Sequence, residues 1–202
     1  MGSNLLDDVS RETQLVLEDF TACLLKWTQK INLIGKASEG DVWDRHILDS
    51  LQLYALAGEG NHWVDLGSGG GLPGLVIAIL AKEQHEHRRV TLVESDQRKC
   101  AFLREMTNRY KLKVQVLNAR IEAVPPLNAD VLSARALTAL PALLDYTHLH
   151  RSPSGVALFP KGAKHLEEIA EAQKTWQFEP VVHPSRTASE GVIVEVGKLS
   201  HV

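Results

Sequence analysis

From Arg11 to Ile34, apolar side chains recur at Val16, Phe20, Cys23, Leu24, Trp27, Ile31 and Ile34. Steps of three and four are the period of one helix face, so the stretch predicts an amphipathic helix. Asp41 to Leu56 repeats the rhythm through Val42, Trp43, Ile47, Leu48, Leu51 and Leu53 and predicts a second helix. Asn32 is placed to cap or turn the chain between them. Ala57-Gly-Glu-Gly-Asn61 ends the pattern, and short apolar runs then alternate with helical segments. Strands are predicted at His62–Leu66, Val90–Glu94, Val114–Asn118, Asp130–Ala134, Val156–Pro160, Phe178–His183 and Val192–Val196. Helices are predicted at Pro73–Lys82, Asp96–Tyr110, Leu140–Leu149 and Ala163–Thr175, with Pro73 in a first turn and Asp96 as a cap. Such alternation means an α/β fold with a doubly wound, mostly parallel sheet. The last two strands lack a helix between them and are expected to form an antiparallel hairpin at one edge. Residues 1–57 are expected to be a helical extension packed on a core of residues 62–202, the two forming one unit.

The composition, 44% hydrophobic and 23% charged over 202 residues, is that of a soluble globular protein. No apolar run approaches the roughly 18 residues that span a bilayer, and the N-terminus has no signal-peptide pattern. No membrane partner and a cytoplasmic location are therefore expected. Met1-Gly2-Ser3 reads as a cloning remnant, and it fails the myristoylation pattern because Leu6 stands where Ser or Thr is needed. Cys23 and Cys100 sit alone in helical stretches and predict core thiols, with neither a disulfide nor a metal site. Trp27, Trp43 and Trp63 likewise fall in apolar patterns and read as core. Charge is uneven: residues 1–60 carry a net −5 and residues 86–164 a net +6 within a total of −3. The basic middle includes Arg98, Lys99, Arg104, Arg109, Lys111, Lys113 and Arg120. Solvated helix faces give such runs more often than nucleic-acid binding does, so the surplus permits an RNA partner without demonstrating one.

The chemistry is concentrated in "WVDLGSGGGLPG", residues 63–74. A glycine-rich turn between strand and helix lets backbone approach a ligand beside the positive end of the helix dipole. Gly69-x-Gly71-x-x-Gly74 formally matches the dinucleotide fingerprint. Asp65-x-Gly67-x-Gly69-x-Gly71 equally matches the pattern of methyltransferases that bind S-adenosylmethionine. That cofactor has no phosphate but carries an ammonium and a carboxylate, and Asp65, ending the first strand, suits such a zwitterion. Glu94, ending the second strand, can accept from ribose hydroxyls in either cofactor class. Asn118-Ala-Arg-Ile-Glu122, after the third strand, falls where methyltransferases contact adenine and favours S-adenosylmethionine.

The fourth strand, Asp130-Val-Leu-Ser-Ala-Arg-Ala136, has no Asn/Asp-Pro-Pro-aromatic motif for amino-group methylation. No nucleophilic Cys for pyrimidine carbon-5 stands there either. An acceptor with a free lone pair, such as guanine N7, needs only positioning and electrostatics, although small-molecule methyltransferases can lack both devices too.

Six segments then carry a resemblance: "KWTQKINLIGK" (26–36), "RHILDSL" (45–51), "VDLGSGGGLPG" (64–74), "ARIEAV" (119–124), "SARAL" (133–137) and "FPKG" (159–162). With them the chain resembles the bacterial RsmG (GidB) family of ribosomal RNA small subunit methyltransferases over most of its length. The C-terminal third matches loosely, and Gly70 and Gly71 make the turn richer in glycine than versions with a central Pro.

The resemblance implies a Rossmann-like class I methyltransferase with a seven-stranded sheet and helices on both faces. The implied reaction is methylation of guanine N7 in small-subunit (16S) ribosomal RNA with S-adenosylmethionine. Gly67, Gly69, Gly71 and Leu72 would line the methionine and ribose side, Ile121 and Glu122 the adenine, and Arg135 the pocket near the transferred methyl. Arg45 and Asp49, like His46 and Ser50, are four apart, so on a helix they form a polar strip. An intrahelical ion pair with a capped histidine explains such a strip unaided. The family match instead assigns His46, Asp49 and Ser50 to organising the cofactor or guanine pocket, none acting as nucleophile or base, with Arg45 toward substrate. Lys161, after the fifth strand, is expected to anchor phosphate.

The implied partner is ribosomal RNA within the 30S subunit. A net charge of −3 suggests that a preformed ribonucleoprotein surface supplies much of the affinity. No metal and no obligate protein partner are indicated. The rival readings are a nicotinamide oxidoreductase, which needs neither Asp65 nor the adenine-loop acid, and a non-catalytic RNA-binding or assembly module, which would bind no S-adenosylmethionine.

Overall fold

A computed structural model describes residues 5–202; the Met1-Gly2-Ser3 segment lies outside them. Helix α1 spans Arg11–Ile31 and starts where Ser10 Oγ accepts from the Thr13 amide at 3.2 Å. It stops three residues before the periodicity does, because Asn32 takes a left-handed conformation (φ 51°) and turns the chain. Its buried face, Leu17, Phe20 and Leu24, keeps the expected spacing.

Preceded by a 3-10 turn at Lys36–Asp41, the second predicted helix, Asp41–Leu56, is two pieces: a π turn at Trp43–Leu48 and helix α2 at Asp49–Leu56. Widening by one residue per turn shifts everything after it around the helix axis. The four-residue register expected for Arg45 with Asp49 is therefore lost as an ion pair, and Asp49 faces Arg135 instead.

The remaining elements are β1 (His62–Leu66), α3 (Gly74–Gln84), β2 (Arg89–Glu94), α4 (Gln97–Arg109), β3 (Val114–Asn118), β4 (Ala129–Ala134), α5 (Leu140–His150), β5 (Arg151–Lys161), α6 (His165–Ala172), β6 (Trp176–Pro184) and β7 (Val192–His201). They build a seven-stranded sheet in the order β3-β2-β1-β4-β5-β7-β6. β7 runs antiparallel to both neighbours, so the expected hairpin forms with β6 at the edge. The prolines of β6, Pro180 and Pro184, are tolerated on that edge. Pro73 is the residue before α3 and not in its first turn, whereas Asp96 caps α4 by accepting from the Arg98 and Lys99 amides.

Alternate strand residues feed opposite faces, as the pleat requires. Trp63 and Leu92 join a core with α1, α3 and α4; Val64, Leu66 and Val93 join one with α5 and α6. Phe20 and Trp27 of α1 lie on Phe102 of α4, at ring separations of 6.3 and 5.5 Å, so the N-terminal segment shares the first core. Trp63 is wholly buried and donates to Ser133 Oγ at 2.9 Å; Cys100 is buried and Cys23 half-buried, both free. Among the described residues no helix is long and apolar enough to cross a membrane.

Candidate active site

The chain leaves β1 through three left-handed glycines, Gly67, Gly69 and Gly71, with φ of 66, 54 and 81°. Only glycine holds such a sequence without strain. The turn is pinned to the second strand: the Gly67 and Ser68 amides donate to the Val93 carbonyl at 2.8 and 3.1 Å. Glu94 Oε2 accepts from the Gly69 amide at 2.9 Å, while its Oε1 accepts from Asp96 at 2.8 Å. Each carboxylate oxygen keeps a second lone pair, although Glu94 is buried and is not among the residues lining the cavities described below.

Asp65 is not in the cavity. Its carboxyl is buried under the turn, accepting from Ser133 Oγ at 2.7 Å on Oδ1 and from the Gly74 amide at 3.2 Å on Oδ2. Burial pushes its pKa up to about 6 against these hydrogen bonds. The direct contact with a zwitterion expected from its position gives way to a role in shaping the turn. A Cβ on Gly74 would lie 2.8 Å from Asp65 Oδ2 and 2.3 Å from Leu92, so only glycine lets α3 start this close. Asp65 thereby satisfies the first amide of α3, one of the donors that a pyrophosphate would use in a dinucleotide site.

Above the turn lies a cavity of about 360 Å³, lined in part by Ile34, His46, Gly67, Gly69, Leu72 and Lys99. Its wall at Arg135 and Ala136 also bounds a second cavity of about 780 Å³, which holds Arg45, Asp49, Lys161 and Thr187. Ala136 is left-handed (φ 50°), a strained conformation for a residue with a Cβ, set at the partition between the two spaces.

Arg135 is the hinge of this arrangement. Its Nη1 donates to His46 Nδ1 at 2.6 Å and to the Arg45 carbonyl at 3.2 Å, and stands 3.9 Å from Asp49 Oδ2. His46 Nδ1 lies between a donor, the Arg135 guanidinium, and an acceptor, the Arg45 carbonyl at 3.0 Å. The opposite ring nitrogen, Nε2, is buried without a partner among the described residues. Burial first and the Arg135 charge second lower the His46 pKa to about 4, so the ring is neutral at pH 7. Burial raises the Asp49 carboxyl, opposed by Arg135 and by the Thr187 hydroxyl. Burial likewise lowers the Arg135 pKa.

Two other expected site residues are engaged by neighbours within the protein. Ser50 is buried and donates its hydroxyl to the His46 carbonyl at 2.6 Å, so it fixes the π turn and lines neither cavity. Lys161 is no free phosphate anchor: only 8% of its side chain is exposed, and Nζ meets Glu168 Oε2 at 2.7 Å and the Thr138 carbonyl at 3.1 Å. Ile121 and Glu122 stand apart from both cavities, on a 3-10 turn held by α5. The Tyr146 hydroxyl donates to Glu122, and His150 Nε2 meets the Ile121 carbonyl at 3.1 Å.

Residue patterns missed Gln52 and Thr187. Gln52 accepts from the Arg186 amide at 2.6 Å and donates to Thr187 Oγ1 at 3.0 Å, and Thr187 donates to Asp49 Oδ1 at 3.1 Å. No local signal marks a polar residue on an apolar helix as the tether of a loop 134 positions away. Lys99 and Ser133 were also missed, although Ser133 lies in the quoted "SARAL".

A family model described as GidB, rRNA small subunit methyltransferase G, matches residues 13–193. A protein of Cereibacter sphaeroides named ribosomal RNA small subunit methyltransferase G is 48% identical over 196 residues, covering 96% of this chain and 95% of that protein. Among solved structures, a methyltransferase from Geobacter sulfurreducens aligns with a TM-score of 0.60 at 14% identity, covering 94% of this chain and 96% of that one. A TehB-like SAM-dependent methyltransferase from Corynebacterium glutamicum aligns with a TM-score of 0.59 at 15% identity, covering 88% and 98%. These structural likenesses extend to the fold.

Proposed function

The chain belongs to the rRNA small subunit methyltransferase G family, and from that premise we propose that it methylates N7 of a guanine in small-subunit (16S) ribosomal RNA, using S-adenosylmethionine. The observation that carries the reading is the pair of cavities sharing one wall at Arg135 and Ala136, the glycine turn on one side and an open polar pocket on the other. Donor and acceptor can occupy the two spaces and meet at that wall.

The glycine cavity fits the proposed cofactor. Gly67, Gly69 and Leu72 offer a close backbone approach, Glu94 keeps lone pairs for ribose hydroxyls, and His46 Nε2 is a buried polar atom without a partner among the described residues, suited to a polar group of the cofactor. Ile121 and Glu122 are proposed for the adenine, on a loop that α5 holds in place. When bound, the cofactor would supply an electrophilic methyl on a sulfonium for the lone pair of N7, with S-adenosylhomocysteine as the other product. N7 bears no proton, so no side chain must act as base, and a neutral His46 is consistent with that. The protein's contribution is alignment and exclusion of water.

The acceptor is proposed to be reached within the 30S particle in the cytoplasm. The test is to incubate protein and radiolabelled S-adenosylmethionine with small subunits from cells lacking the modification, then digest the RNA and identify the labelled nucleoside. 7-Methylguanosine at one site is the expected result. Cofactor binding without transfer would remove the acceptor assignment, and absence of binding would remove both.

A further inference from the structure

N7 of a paired guanine faces the deep, narrow major groove of A-form RNA, which side chains do not enter. A guanine methylated at N7 is therefore most readily presented unstacked, with its Watson–Crick edge uncovered and available for readout. The second cavity holds two groups suited to that edge. Asp49 commits Oδ1 to Thr187 at 3.1 Å and to Gln52 Nε2 at 3.2 Å, leaving Oδ2 with Arg135 as its neighbour at 3.9 Å. Arg135 commits Nη1 to His46 and to the Arg45 carbonyl; its Nε and Nη2 make no hydrogen bond among the described residues.

We infer that Asp49 and Arg135 read the acceptor base as a pair, the carboxylate taking the N1–H and N2–H donors of guanine and the guanidinium donating to O6. The inference rests on the guanine reading above and deepens it. On guanine, N1–H lies beside O6 and O6 beside N7. A carboxylate next to a guanidinium matches the first two groups in order and leaves N7 adjacent to the Arg135 side of the pocket. That side is the wall shared with the glycine cavity. Adenine presents the opposite pattern, an N1 acceptor to the carboxylate and an N6 donor to the guanidinium, so both contacts turn repulsive. Thr187 and Gln52 fix Asp49 from behind, which holds the acceptor oxygen in place before the base arrives.

The experiment uses small subunits reconstituted with RNA carrying guanosine or inosine at the site that labelling identifies. Inosine keeps N1–H, O6 and N7 but lacks the 2-amino group. A hydrogen bond to a charged acceptor is worth about 1.5–3 kcal/mol, so the parent protein should prefer guanosine by roughly 10- to 100-fold in kcat/KM. Asp49→Asn exchanges one acceptor for a donor and should collapse that preference to about threefold or less. Thr187→Val loosens the support behind Asp49 and should slow both substrates while keeping the preference. S-Adenosylmethionine affinity, measured by direct binding, should stay within about twofold in both variants. A parent that methylates inosine as readily as guanosine would overturn the pairing, as would an Asp49→Asn protein slowed equally on both with its preference intact. A parent that transfers nothing to guanosine while still binding the cofactor would remove the guanine reading itself, and the pairing with it.

Discussion

At single residues, folding shifts the pKa of His46, which lines the glycine cavity, and of Asp65, which lies beneath the turn, in opposite senses. Asp65 has a folded pKa of about 6, above the ordinary carboxylate value of 3.8. The native state therefore binds more protons between those values, and the contribution of Asp65 to stability is greatest below about pH 4 and declines as pH rises to 6, by about 3 kcal/mol in all. His46 has a folded pKa of about 4, below 6.5, so its contribution is present above pH 6.5 and is lost as pH falls toward 4. In the parent protein the two trends oppose each other. Denaturant midpoints from pH 4 to 7 should show Asp65→Asn gaining on the parent as pH rises, and His46→Gln losing ground to it. A stability difference that ignores pH would remove the assignment for that residue. Gly74→Ala tests packing at the same place. Its Cβ would meet Leu92 and the Asp65 carboxyl, and overpacking of this kind costs about 1–3 kcal/mol, readable as a lowered midpoint.

At the scale of elements, the loop between β6 and β7 forms one side of the larger cavity through Ser185, Thr187, Ala188 and Gly191. Among the described residues, Gln52 and Asp49 of α2 hydrogen-bond to this loop. Gln52→Leu removes three hydrogen bonds and should speed amide exchange in residues 185–191. KM for the RNA substrate should rise severalfold while cofactor affinity stays unchanged; unchanged exchange would show that the loop is held by other contacts. The sequence announced the strand, glycine turn and helix because they obey local rules: β1 and β3 fall on the predicted residues, and Asp96 caps α4 as its position requires. It did not announce the π turn, because Val42, Ile47 and Leu51 bury an apolar face whether the turn holds five residues or four. Lys161 shows the same limit. Its place at the end of β5 was legible, but which acid on α6 would claim it depends on how that helix packs, and Glu168 does. Asp65 too was found by position, while burial decided that it shapes the turn from below.

At the scale of the molecule, the first core runs from Leu17 and Phe20 of α1 through Leu75 of α3 to Phe102 and Met106 of α4. We propose that extension and sheet domain form one folding unit, so urea unfolding followed by tryptophan fluorescence and by circular dichroism should give coincident transitions. An early transition confined to the N-terminal helices would separate them. The same packing redistributes charge. Of seven basic residues between Arg98 and Arg120 in the middle segment, Arg109 is claimed by Asp19 of α1, Arg98 by Asp96 and Lys113 by Glu86. Lys99, Arg104, Lys111 and Arg120 have no ion pair among the described residues. Each phosphate neutralised contributes about 0.7–0.9 to the slope of log affinity against log salt. Four free cations therefore set an expected slope of about −3 to −4 for binding to small-subunit RNA, against about −5 to −6 if all seven engaged phosphates. A slope near −3 would mean that the acidic N-terminal segment keeps its internal pairs on binding. The remaining affinity must then come from shape and from the base held between Asp49 and Arg135, which salt screens less because both groups are largely buried. A slope near −6 would mean that the Arg109–Asp19 pair opens and that α1 yields its partner to the RNA.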